Sequence, residues 1–139
     1  MELILIPAMF LILANLKTII RSLKLKEVEN KLKNTPYVWG GTTINGFDCS
    51  GFTQYVYKNY FDQQILRTAA QQANQSKETN NPIAGDLIFF SVPGSSNISH
   101  VGIYISNEIM LHSGSSTGVG YANYKDGYWG QRFRFFGKM

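Results

Sequence analysis

The apolar residues of this chain change their spacing once, near Pro82, and that change limits the possible folds more than any other feature. Before it, apolar residues recur at helical intervals: Leu16, Ile19 and Ile20, Leu23, then Leu25, Val28 and Leu32, with Lys, Arg and Glu between them. This spacing predicts an amphipathic helix with one apolar face, ending before Asn34-Thr35-Pro36. After Pro82 the runs Leu87–Val92, Val101–Ile105 and Glu108–His112 are short and rich in Val, Ile, Phe and Tyr, with turns at Gly94–Asn97 and Ser106-Asn107. These read as strands. Helices followed by antiparallel strands predict an α+β architecture, with N-terminal helices packed on a central antiparallel sheet.

Between the two regimes, Asn45–Asp48 reads as a loop. A helix is expected from about Cys49 to Tyr60, with Phe52, Tyr55, Val56 and Tyr60 toward the core and Asp48 or Ser50 as its cap. Gln71–Asn81 is polar and reads as a surface loop or a frayed helix end, and Pro82–Asp86 as a turn. At the C-terminus, Gly118–Tyr124 and Trp129–Phe136 flank Lys125-Asp126-Gly127, which predicts a closing hairpin. Arg132 and Arg134 alternate there with Phe133 and Phe135, so that strand is expected to have one wet and one dry face.

The other end begins differently. Leu3–Ala14 is a twelve-residue apolar run broken only by Pro7. A bilayer span takes roughly 20 apolar residues, and a secretory signal normally opens with positive charge, whereas Glu2 is the only charge before this run. Three readings stand: an anchor continuing to Leu23, an atypical export signal, or a greasy helix packed on the domain. Residues 1–24 are accordingly separated from a domain spanning 25–139, and residues 3–23 are a candidate membrane contact.

The chain has 139 residues and a net charge of +4, with six of its thirteen basic residues among the first 34 positions. A hydrophobic content of 44% and a charged content of 16% exclude a disordered chain. No basic patch interleaved with aromatics points to nucleic acid. One cysteine and two histidines exclude a disulfide framework and a cysteine- or histidine-rich metal site. The groups suited to chemistry at neutral pH are therefore few: Cys49, His100 and His112.

Cys49 stands where a loop meets a helix, in Gly46-Phe47-Asp48-Cys49-Ser50-Gly51. Unpaired N–H groups and the helix dipole at such a place favour a thiolate, predicting a depressed thiol pKa and a nucleophile. A lone cysteine is otherwise commonly an inert core residue. His100 opens one predicted strand and His112 closes the next, so a tight turn at Ser106-Asn107 brings the two imidazoles side by side. A nucleophile, an imidazole base and a third polar group that orients the base form the arrangement that cysteine acyl transfer requires.

Four segments, in order, resemble the NlpC/P60 family of papain-like cysteine peptidases: Tyr37-Val38-Trp39-Gly40-Gly41, Phe47-Asp48-Cys49-Ser50-Gly51-Phe52, Ala84-Gly85-Asp86-Leu87-Ile88-Phe89-Phe90 and Ser99-His100-Val101-Gly102-Ile103-Tyr104. The resemblance covers about Leu25 to Phe136. It implies a papain-like fold and hydrolysis of peptidoglycan stem peptides at the cell envelope, in the periplasm or after secretion, at a D-γ-glutamyl bond to a diamino acid. It makes Cys49 the nucleophile, His100 the base and His112 the orienting residue. Tyr37 matches the tyrosine whose hydroxyl lies near the oxyanion, while Asp48 and Ser50 match residues that help to hold substrate. Arg67 is either pocket wall or structural ion pair, and Trp39 is expected to shape the pocket. No metal and no cofactor are implied. An N-acetylmuramoyl-L-alanine amidase, a papain-like acyltransferase and a non-catalytic wall-peptide binding module are the competing readings.

Overall fold

The computed structural model describes residues 7–139. Along the chain lie α1 (Pro7–Leu32), β1 (Thr42–Thr43), β2 (Gly46–Phe47), α2 (Cys49–Tyr60), α3 (Ala69–Gln75), β3 (Lys77–Thr79), β4 (Leu87–Phe90), β5 (His100–Ser106), β6 (Ile109–Gly114), β7 (Gly118–Asn123), α4 (Gly127–Gly130) and β8 (Phe133–Lys138). Strands β3-β8-β4-β5-β6-β7 form, in that order, one sheet in which every neighbouring pair is antiparallel. The expected α+β architecture, helices first and antiparallel sheet second, is the observed one.

The sheet is covered on both faces. Leu87, Phe89, Val101, Ile103 and Leu111 pack with Phe52 and Val56 of α2 and with Leu25, Val28 and Leu32 of α1. On the other face Ile88, Phe90, Met110 and Tyr124 are covered by Trp129, Phe133 and Phe136. Residues Leu87–Phe90 are therefore all buried, which explains a run of four apolar residues where a half-exposed strand would alternate.

Helix α1 is longer and less buried than its spacing predicts. Only Leu25, Val28, Glu29 and Leu32 are buried. Leu16, Ile19, Ile20 and Leu23 lie in solvent, as do Met9 to Leu13. At about 1.5 Å per residue a helix of 26 residues is roughly 39 Å long, whereas the longest strand, β5 with seven residues, spans only about 23 Å. The helix overshoots the sheet, and the greasy half is not packed on the domain. Residues 3–6 of the apolar run lie outside the described residues. Among the described residues no helix is long and apolar enough to cross a membrane.

From this helix Arg21 reaches into the domain. Its Nη1 donates to Asp86 Oδ1 at 3.2 Å, and Lys138 Nζ donates to Asp86 Oδ2 at 2.7 Å. The same Oδ2 accepts from the Ile83 N–H at 2.8 Å. Asp86 is 2% exposed, so this carboxylate ties α1, the start of β4 and the end of β8 together from inside. Asp86→Ala leaves two cations and a buried N–H without their acceptor, and is expected to cost about 2–3 kcal/mol of stability. Urea titration checks this; an unaltered midpoint would show the three contacts to be idle.

Several elements depart from expectation. The predicted loop Asn45–Asp48 contains β2, which pairs with β1. The predicted polar loop Gln71–Asn81 contains most of α3 and all of β3. Thr68 caps α3 by accepting from Gln71 N–H while the Gln71 side chain accepts from Thr68 N–H, a reciprocal capping box. Gln72 is fully buried, with Nε2 donating to Ser50 O and Leu66 O and Oε1 accepting from Thr53 Oγ1. Satisfied hydrogen bonds allow this one polar side chain to be interior.

The expected C-terminal hairpin does not form. β7 is the edge strand beside β6, while β8 sits between β3 and β4. The chain must cross from one side of the sheet to the other, so Asp126-Gly127 opens the short helix α4 instead of a tight turn. In β8, Phe89 pairs with Phe135 but Phe90 with Phe133, so one extra residue bulges. The bulge sends Phe135 to the α2 side and Phe133 to the opposite face, where alternation predicts one shared face.

Candidate active site

The site begins where β2 runs into α2. Asp48 is the N-cap, in extended conformation, and its Oδ1 accepts from Gly51 N–H at 2.6 Å. A Cβ at Gly51 would overlap the Gly41 carbonyl, so glycine is required for the Tyr37–Gly41 segment to close over the helix start. Tyr37 bridges Phe47 in that segment. Ser113 Oγ donates to Phe47 O at 2.9 Å and ties β2 to β6.

Arg67 closes the other side of the cap. Its Nη1 and Nη2 donate to the two carboxylate oxygens of Asp48 at 3.0 and 2.7 Å, and Nη1 also reaches Ser50 Oγ at 3.0 Å. Burial alone would raise the Asp48 carboxyl; Arg67 and the Gly51 N–H overcome it and hold the group below the usual carboxylate range. Of the two readings of Arg67, the ion pair is the observed geometry. Asp48, Ser50 and Arg67 satisfy one another beside Cys49 and do not line its cleft. Trp39, expected at the pocket, is 89% exposed and away from the cleft, because its turn points it outward.

Cys49, Tyr37 and His100 line one cleft of about 200 Å³. Cys49 is buried at 8% exposure. Burial pushes its thiol pKa up, the N–H of Val101 draws it down, and the neighbouring Asp48 carboxylate raises it again. The net direction is upward, opposite to the expected depression. The helix-start donors are present, but desolvation outweighs them. The Val101 N–H that touches the sulfur belongs to the residue after His100, so β5 brings His100 to the cleft that the thiol lines.

His100 and His112 meet as the strand spacing predicts. Paired residues Ile103–Leu111 and Tyr104–Met110 set the register of β5 and β6. In that register His100 Nε2 lies 2.8 Å from His112 Nδ1. The His100 Nδ1 has no protein partner among the described residues. Two glycines make room: a Cβ at Gly102 would lie 3.3 Å from His112 Cβ, and one at Gly114 would lie 2.9 Å from His112 Cε1. Trp129 stacks on His100 with centroids 4.2 Å apart and meets the edge of His112 at 5.3 Å, while Phe90 lies against His100. Burial in this aromatic cage holds His112 down at about 4. Burial, reinforced by His112, holds His100 well below the ordinary 6.5. At neutral pH these three directions favour the uncharged thiol and the uncharged imidazoles.

Tyr128, Trp129 and Arg132 also line the cleft, which the sequence pattern does not foretell. The pattern puts them in or beside a closing hairpin, and the only local signal of another structure is Asp126-Gly127 followed by two aromatics.

Cys49 at a helix start and His100 of an antiparallel sheet, with His112 behind it, thus meet at one cleft. Comparison with known proteins gives the family. The sequence profile of the NlpC/P60 family matches residues 34–137, and the chain belongs to that family. A protein of Haemophilus influenzae named probable endopeptidase is 37% identical over 111 residues, 78% of this chain and 69% of that protein. The probable peptidoglycan endopeptidase LytE of Bacillus subtilis is 40% identical over 110 residues, 79% of this chain but 32% of LytE. The crystal structure of the NlpC/p60 domain of the peptidoglycan hydrolase SagA superposes with a TM-score of 0.69 at 30% identity, covering 85% of this chain and 98% of that domain.

Proposed function

We propose that this chain is a cysteine endopeptidase acting on the peptide stems of bacterial peptidoglycan, outside the cytoplasm, and that it cleaves the D-γ-glutamyl bond to a diamino acid through a thioester on Cys49. The observation that carries the reading is the 2.8 Å contact of His100 Nε2 with His112 Nδ1, behind a cleft that His100 shares with Cys49. With Nε2–H directed at His112, the lone pair of His100 Nδ1 is left to accept the thiol proton, the tautomer a base needs here.

The steps follow from these groups. Cys49 Sγ–H passes its proton to His100, and the thiolate adds to the scissile carbonyl carbon. Starting from neutral partners, the ion pair forms as substrate binds, when the developing imidazolium faces the developing oxyanion. The Cys49 N–H and the Tyr37 hydroxyl donate to that oxyanion; each such donor contributes about 3–4 kcal/mol in comparable sites. Burial, then the nearby Cys49 and Asp48, push the Tyr37 hydroxyl above its ordinary pKa, which keeps it a proton donor. The imidazolium protonates the leaving amine, and water deprotonated by His100 then hydrolyses the thioester.

Digestion of defined muropeptides with mass spectrometry of the fragments tests the bond. The expected products carry a free γ-D-glutamate carboxyl on one side and the free amine of a diamino acid on the other. Release of intact stems from the glycan would instead identify an amidase, and recovery of uncut substrate would leave a binding module.

A further inference from the structure

Among the described residues, one formally charged side chain lines the cleft, and it is Arg132. None of the ion pairs among the described residues includes it. Its guanidinium lies on the Tyr128 ring at 3.6 Å, and Nη1 donates to Tyr128 O at 2.9 Å. Its Nε is sealed from solvent and has no acceptor among the described residues. A guanidinium on the wall of a cleft and outside every ion pair among the described residues leaves its remaining Nη hydrogens for an acceptor that comes from outside the fold.

The position of the arginine identifies which part of a substrate it meets. Trp129, three residues earlier on the same turn, stacks on His100. The Arg132 carbonyl accepts from Ser91 N–H at 2.9 Å, next to Phe90, which pairs with His100. Two separate contacts thus place Arg132 on the imidazole side of the cleft. In acyl transfer by a thiol the leaving amine takes its proton from the imidazolium, so the residue released as the amine lies on this side.

We propose that Arg132 binds the side-chain carboxylate of the diamino acid on the leaving side, and so selects stems whose diamino acid carries that carboxylate over stems with lysine or with a carboxamide in its place. The inference rests on the function proposed above. A guanidinium offers parallel N–H donors to a carboxylate, and its seat over the Tyr128 ring together with the Nη1 bond to Tyr128 O holds the fork in place. No acidic side chain in the lining competes for the arginine.

The test uses two synthetic stem peptides that differ only in that group, free carboxylate against carboxamide. The wild-type protein is expected to turn over the acid with kcat/KM about 10- to 100-fold higher. Arg132→Gln should remove the preference by slowing the acid alone, and Arg132→Lys, which keeps charge without the fork, should fall between. Equal turnover of the two peptides by the wild-type protein, or an unchanged ratio in Arg132→Gln, overturns the proposal. Calorimetric binding of the same pair to Cys49→Ala separates it from the chemistry. If the wild-type protein cleaves neither peptide, the proposed bond is wrong. An acid preference in Cys49→Ala that a second substitution, Arg132→Gln, abolishes then still supports the arginine, and equal affinities overturn it.

Discussion

Cys49→Ala is expected to lower the release of stem-peptide fragments from purified sacculi by at least about 10⁴-fold while leaving the fold intact. The thiol is the only cysteine in the chain, so no other sulfur can take its place. The remaining parts of the cleft still bind and polarise the carbonyl, which limits the loss to that of a site without its nucleophile. Alanine removes one small group from a position at 8% exposure and keeps the Asp48 cap and the Arg67 ion pair, so stability should change by no more than about 1 kcal/mol. Turnover by Cys49→Ala at the wild-type rate, with an unaltered melting curve, would falsify the nucleophile assignment and the thioester with it.

His112→Ala is expected to lower kcat by about 10²- to 10⁴-fold, the scale seen when the group that orients a catalytic imidazole is removed. It should also change the pH behaviour in a way that a merely structural residue would not. In the wild-type protein His100 is held well below 6.5, so the acid limb of kcat/KM lies below that value. Burial raises the thiol above 9.0, so the alkaline limb lies above that one, and the profile is broad. Without His112 the cage is more open and one neighbouring imidazole is gone. Both changes raise His100, and the acid limb moves toward neutral pH.

Stability carries the same signature. His112 titrates near 4 in the folded protein and near 6.5 when unfolded. Between those values the unfolded chain binds more protons, so the protein loses stability as pH falls through this window and regains it as pH rises. A tenfold difference in proton affinity is worth about 1.4 kcal/mol, so His112 alone accounts for on the order of 3 kcal/mol. Chemical denaturation at pH 7 and pH 4.5 should show a smaller acid loss in His112→Ala than in the wild-type protein. Equal losses would mean that the imidazole is not buried in neutral form.

The order of segments and the helix from Cys49 to Tyr60 were legible because each rests on local physics. A capping aspartate precedes that helix, apolar positions at helical spacing line one side of it, and β-branched and aromatic runs form the strands. The approach of His100 to His112 was legible for a related reason: a short turn joins two adjacent strands and so brings their far ends together, although the register shift between Tyr104 and Ser106 decides which residues stand opposite. Strand β8 had no such turn to count from. Its partner, β4, is more than forty residues away, and neither the crossing from the far edge nor the bulge at Phe133 has a local signature. With β8 misplaced, Tyr128, Trp129 and Arg132 could not be seen as walls of the cleft.

Charge state follows the same division. A cysteine at a helix start announces donors for a thiolate, and those donors are there, but burial sets the direction of the shift and depends on the whole fold. The residue types of the thiol–imidazole set, and the adjacency of the two strands that carry its histidines, are written in the linear order because they depend on contacts across a few residues. Which arginine lines the cleft, which one is tied to Asp48, and which way the thiol pKa moves depend on long-range packing. Removal from water is a property of the assembled interior, and only the tertiary structure decides it.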